Sequence, residues 1–134
     1  MLPNPVKARF SMAEHSLSRS ERLRSLGAIR RLFTEGEAGF VFPLRYIWYA
    51  ESDTNPSVEV LFSTPKRYHK RANRRNLVRR RMREAYRLQK QSLTLHIGER
   101  NIDLALIYSS AEVVSSKKIA NAVRRILEQI ASRM

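Results

Sequence analysis

The chain has 134 residues and no cysteine, which fits a single domain and excludes a disulfide framework and any thiolate metal site. Hydrophobic residues make up 43% and charged residues 28%, proportions that argue against wholesale disorder and against a membrane bundle. The charge balance is the anomaly: 26 lysines and arginines stand against 12 acids, a net +14, and self-repulsion of that size points to a polyanionic partner, either nucleic acid phosphates or an acidic membrane surface.

The first sixteen residues (MLPNPVKARFSMAEHS) lack the apolar segment of a signal peptide, and Glu14 speaks against a transit peptide. They read as a mobile extension, 1–16, in which Lys7 and Arg9 are available to a polyanion. No apolar run approaches the roughly 18 residues of a membrane span, so a cytoplasmic protein with no membrane partner is expected.

Ser18, Ser20 and Glu21 precede Leu23, Leu26, Ile29, Leu32 and Phe33, with Gly36 after them, the pattern of a capped amphipathic helix over roughly Ser20 to Glu35. Its apolar face includes Leu26, Ile29 and Phe33. Gly39 to Phe42 and Leu44 to Ala50, separated by Pro43, read as two strands, and the turn Ser52-Asp53-Thr54-Asn55-Pro56 leads to a third in which Val58, Val60 and Phe62 alternate. A basic helix follows, then a loop from Leu93 to Asn101. The apolar strand Ile102 to Tyr108 comes next, and the last helix, Ser115 to Ser132, turns Ile119, Val123, Ile126, Leu127 and Ile130 inward. The order is α-β-β-β-α-β-α.

From Lys66 to Lys90 there are twelve basic residues and one acid, Glu84, a net +11 that leaves only +3 for the rest of the chain. A local site is implied. On a helical wheel Val78, Met82, Ala85, Tyr86, Gln89 and Leu93 share a core-facing stripe within about 100°, while Asn76, Arg79, Arg80, Arg83, Arg87 and Lys90 occupy the other side. Segregation this clean describes an ordered helix, and a merely solvated face would mix signs. Ten of the twelve cations are arginine, whose guanidinium fork binds phosphate through two bonds and stacks on bases. A helix lying on lipid needs bulky apolar residues free, whereas those here are required for the core, so nucleic acid is the better partner.

Protein-borne hydrolytic chemistry finds little support. The two aspartates, Asp53 and Asp103, have no acidic neighbour in sequence, and His15, His69 and His96 show no metal-ligand spacing. His69, inside the basic run, reads as a phosphate donor or a bystander. The four glycines are isolated, so neither a phosphate loop nor a nucleophile elbow is present.

The run Lys66-Arg67-Tyr68-His69-Lys70-Arg71-Ala72-Asn73-Arg74-Arg75-Asn76-Leu77-Val78-Arg79-Arg80-Arg81-Met82-Arg83-Glu84-Ala85-Tyr86 resembles the signature helix of the bacterial ribonuclease P protein family. Ser20-Glu21-Arg22-Leu23-Arg24, Arg30-Arg31-Leu32-Phe33 and Glu35-Gly36 are similar to the family's opening helix. The resemblance implies a single α/β domain over 17–134, an α+β sandwich around a four-stranded sheet. It also implies a left-handed crossover through the basic helix, where about 98% of such connections are right-handed. It implies a subunit that joins a catalytic RNA to remove the 5′ leader of precursor tRNA, with magnesium held by the RNA and substrate and no homo-oligomer required. The implied RNA contacts are Lys66, Arg67, Lys70, Arg71, Arg74, Arg75, Asn76, Arg79, Arg80, Arg83 and Arg87. The third signature position holds Leu77 where the family has arginine, with Arg74 and Arg81 as neighbouring substitutes. The implied leader cleft is lined by Ile29, Phe33, Arg45 and Ile47, and a one-residue slip in register would bring Tyr46 and Trp48 there instead. A ribosomal or RNA-chaperone module and a stand-alone nuclease are the alternatives.

Overall fold

A computed structural model describes residues 21–134, so the expectations for residues 1–16, Lys7, Arg9, Ser18 and Ser20 fall outside the described residues. Helix α1 spans Leu26–Glu35, followed by strands β1 (Glu37–Val41), β2 (Leu44–Ser52) and β3 (Ser57–Ser63). Helix α2 spans Ala72–Gln89, the short α3 Gln91–Thr94, strand β4 Arg100–Tyr108 and helix α4 Ser116–Arg133. The strands form one sheet in the order β1-β2-β4-β3, with β3 parallel to β4 and the other pairs antiparallel. Among the described residues no helix is long and apolar enough to cross a membrane.

The alternation in β2 decides which residue faces which layer. Leu44, Tyr46 and Trp48 join the larger core with Val78, Met82 and Tyr86 of α2 and Ile119, Val123, Ile126 and Ile130 of α4. Ile47 points the other way, into a smaller core with Leu23, Leu32, Ala105 and Ile107, against which Ala28, Ile29 and Tyr49 pack. Strand β4 lies between β2 and β3 under both layers, which explains why Ile102 to Tyr108 is an unbroken buried run. Across from Tyr46 stands Gly39; a Cβ there would overlap the Tyr46 ring, whose hydroxyl donates to the Gln129 side chain of α4.

Helix α1 starts six residues later than the sequence pattern suggests. Its N-cap is Ser25, whose hydroxyl accepts from the Ala28 amide at 3.3 Å. Residues 22–23 are drawn instead to the free edge of β3, where Leu23 donates to the Val60 carbonyl at 2.9 Å and buries its side chain. The segment after α2 also differs from the expected loop, since Gln91–Thr94 forms a helical turn that buries Leu93. Glycine at position 36 is required by crowding: a Cβ would stand 2.8 Å from Ile47 Cγ2 and 2.9 Å from the Trp48 carbonyl oxygen.

Candidate nucleic-acid interface

Helix α2 is anchored by the predicted stripe, with Val78, Met82, Ala85 and Tyr86 buried. The Tyr86 ring meets Phe62 edge-on at 5.9 Å, and burial pushes its hydroxyl well above the ordinary tyrosine range. Fixing this face turns Asn76, Arg80 and Arg83 outward as exposed side chains, with Arg79 and Arg87 partly exposed beside them. No acid lies in the first turn of α2, and its N-cap, Arg71, supplies no side-chain acceptor. The positive end of the helix dipole therefore adds to the cations around it.

The loop before α2 carries Lys66, Arg67, Lys70 and Arg71, all exposed, and Arg74 follows in the first turn. Its shape is held by side chains the sequence could not sort. Arg75 donates through Nη1 to the carbonyls of His69 (3.1 Å) and Lys70 (2.7 Å). Arg79 bonds Thr64 Oγ1 at 2.6 Å and Asn76 Oδ1 at 3.3 Å. His69 is buried, with Nε2 2.8 Å from the Ser110 carbonyl and its ring tilted against Tyr108 at 5.6 Å. It is therefore neither a phosphate donor nor a bystander: it ties the basic loop to the end of β4.

Three other basic residues have been given structural partners. Lys90 was expected on the cationic face but is buried and paired with Glu21 at 2.7 Å. Arg81 donates to the Val114 carbonyl at 2.7 Å, which commits it to the loop before α4 and leaves it a poor substitute at the Leu77 position. Arg87 is paired with Glu84 at 2.8 Å, and this contact holds the Glu84 carboxyl below its ordinary range. What remains is an arginine face with two shallow hollows. One of about 250 Å3 is lined by Tyr68, His69, Lys70, Arg71 and Arg74, and one of about 220 Å3 by Arg80, Arg83, Glu84 and Arg87.

On the other side of the sheet, α1 sends Arg31 toward Glu51 (3.2 Å) and Asp103 (3.7 Å), with its guanidinium over the Tyr49 ring at 5.0 Å. Leu26, Ile29 and Phe33 lie on the opposite flank of the helix. Only Leu32 of α1 is buried; Leu26 is 77% and Phe33 48% exposed, so most of the flank expected to be core faces solvent. Arg45 and Ile47 share the sheet face beneath α1, Arg45 exposed and Ile47 buried, whereas Tyr46 and Trp48 belong to the opposite core. Phe40, absent from the expected set, pairs with Arg45 in register and is 55% exposed on that face, in edge contact with Phe42 at 6.5 Å. In sequence the available signal was Phe40 and Phe42 set close before Arg45 across one strand turn.

The β1–β2 turn, with Phe40 and Arg45 beside it, and the basic loop share one end of the sheet. The β1–β2 turn is bonded to the end of β4 through Ser109 N to the Pro43 carbonyl (2.9 Å), and Ser110, the next residue, holds His69. Among the described residues no group of three or more His, Asp or Glu side chains converges as a metal site.

The sequence profile of the Ribonuclease P family matches residues 17–131. The chain belongs to the bacterial ribonuclease P protein family. A ribonuclease P protein component of Porphyromonas gingivalis is 36% identical over 124 residues, covering 90% of each chain. One from Chlorobaculum tepidum is 33% identical over 131 residues, covering 88% of this chain and 84% of the relative. A solved Staphylococcus aureus RNase P protein mutant superposes with a TM-score of 0.68 at 15% identity, covering 96% of this chain and 98% of its own. The Thermotoga maritima RNase P protein gives 0.65 at 18%, covering 81% and 96%. These neighbours carry the same fold. Membership places the chain in ribonuclease P, a tRNA-processing ribonucleoprotein, and implies an RNA partner for it.

Proposed function

We propose that the chain is the subunit that binds the ribonuclease P catalytic RNA through α2 and its preceding loop and holds the single-stranded 5′ leader of precursor tRNA in the cleft under α1. The observation that carries this reading is a pair of exposed surfaces: the arginines of α2 and its preceding loop, and, on the α1 side of the sheet, Phe33, Phe40 and Arg45 left exposed with Ile29 half-buried. Stacking on aromatic rings accepts any base, which suits a leader that differs from one tRNA to the next.

The described residues do not fit a magnesium ion, since no convergent carboxylate set is present among them. In this proposal magnesium belongs to the RNA and substrate, and phosphodiester hydrolysis is done by the RNA. The protein's work is electrostatic: Arg80 and Arg83 offset phosphate charge, so that two RNAs approach each other at a lower magnesium concentration.

The test is leader cleavage of a precursor tRNA at low magnesium with the cognate RNA alone, the protein alone and the two together. Activity only in the mixture is expected. Cleavage by protein alone would return the chemistry to Asp53 or Asp103, and an inactive mixture would favour the ribosomal or chaperone alternative. With about six phosphate contacts, the log-log salt dependence of RNA binding should have a slope near −4 to −5, and one shallower than about −2 counts against an electrostatic interface.

A further inference from the structure

A groove of about 420 Å3 runs between α2 and the start of α4, lined by Leu77, Arg80, Arg81, Ala85, Leu88 and Ala120, with Glu84 and Ser116 at its edges. Leu77, Arg81, Glu84 and Leu88 follow a 4-3-4 spacing and so form one stripe along α2. The two charges inside that stripe are turned aside. Arg81 is taken up by the Val114 carbonyl at 2.7 Å, and Glu84 by Arg87, whose Nη2 and Nε reach its two carboxylate oxygens at 2.8 and 3.1 Å. The floor is therefore apolar, and Leu88 is left 55% exposed on it. Arg80 stands at the lip, where it also lines the neighbouring hollow with Arg83.

We infer that this groove seats one unpaired nucleobase of the RNA bound by α2, with Arg80 holding that nucleotide's phosphate. The inference rests on the function proposed above. An apolar floor under a cationic lip complements a ring joined to a phosphate. The groove is also continuous with the arginine face through Arg80 and Glu84, which form a wall of both hollows. A strand following Arg83 and Arg80 reaches the groove without leaving the helix. Leucine at position 77 belongs to this arrangement, since an arginine there would place a second cation in the stripe.

The discriminating property is that seating a base is insensitive to salt, while phosphate contacts are not. Leu88 is exposed, so Leu88→Ser leaves the fold intact. It should weaken binding to the cognate ribonuclease P RNA about five- to tenfold, the effect of uncovering part of a leucine. The salt slope should not change. Arg80→Ala should make the slope shallower by about 0.7 to 0.9. Because the chain has no cysteine, Leu88→Cys gives a unique thiol for a photo-cross-linker. Its cross-link should map to one unpaired nucleotide of that RNA.

If the wild type does not bind the RNA, this inference and the proposed function fall together. If the wild type binds and Leu88→Ser binds equally well at every salt concentration, only the groove assignment falls. A cross-link to paired nucleotides, to the chain itself or to a second copy also overturns it, as does wild-type self-association that Leu88→Ser removes.

Discussion

The Arg75 guanidinium reaches back over the start of its own helix to the His69 carbonyl at 3.1 Å, and the same nitrogen bonds the Lys70 carbonyl at 2.7 Å. A residue that sequence alone assigns to RNA thus spends part of its bonding capacity on the loop that carries Lys66, Arg67, Lys70 and Arg71. The cations are presented in a fixed arrangement, so little loop entropy is lost when the RNA is bound.

Arg75→Ala should therefore speed amide hydrogen exchange across residues 66–71, because both carbonyl bonds go with the guanidinium. Arg75→Lys keeps the charge and should follow the wild type in salt slope, yet follow Arg75→Ala in exchange. Equal exchange in all three proteins would reject the loop-setting role.

Arg80 is exposed, whereas Met82, two residues on, is completely buried. Arg80→Ala should weaken RNA binding with little change in melting temperature. Met82→Ala should cost about 2 to 5 kcal/mol of stability through the cavity it leaves. Parallel melting and binding curves for both variants would reveal a reversed assignment.

Phe40 projects into the proposed leader cleft beside Arg45 and is 55% exposed, so its ring contributes little to the free protein's core. Phe40→Ala should reduce the affinity of the reconstituted enzyme for precursor tRNA by about 1 to 3 kcal/mol, the range for one stacked base. Binding of the same tRNA without its leader should not change. An equal loss for both substrates would remove Phe40 from the leader site.

Asp103 sits under α1, where burial first and the Glu59 carboxylate second raise its pKa above the ordinary carboxylate value, against the opposing charge of Arg31. The folded state then binds this proton more tightly than the unfolded state does. The ionised carboxylate is a penalty, fully present above the folded pKa and relieved as pH falls through it. Asp103→Asn should raise the melting temperature at neutral pH, and the advantage should shrink as pH drops toward the ordinary carboxylate range. An advantage that does not vary with pH would show that the side chain acts by packing.

Periodicity located the layers because burial imposes it. The stripe from Val78 to Tyr86 and the alternation through Val58 and Val60 are direct imprints of a core on one side. Register in β2 was not legible in the same way: the face of Arg45 and Ile47 and the face of Tyr46 and Trp48 both carry apolar residues, and only their packing into different cores separates them. Residues with long charged side chains were not so legible. Lys90, Arg81 and Arg75 look alike in sequence, and only tertiary contacts with Glu21, Val114 and His69 separate the buried cation and the loop anchors from the solvent-facing Arg80. The late start of α1 has a similar origin: the open edge of β3 competes for residues 22–23, and a strand edge is invisible to a helical wheel.

Arginines one turn apart on α2 repel one another, and Glu84 is the one acid among the twelve cations of residues 66–90. The helix keeps its place in the free protein through Val78, Met82 and Tyr86 on its other side, while its outer face lacks the anions that would relax it. An RNA that fits supplies them and stabilises the fold as it binds, by an amount that grows with its concentration relative to Kd. The melting temperature thereby becomes a gauge of occupancy, and ranking RNAs by the shift each produces would order them by fit to the arginine face without any cleavage assay.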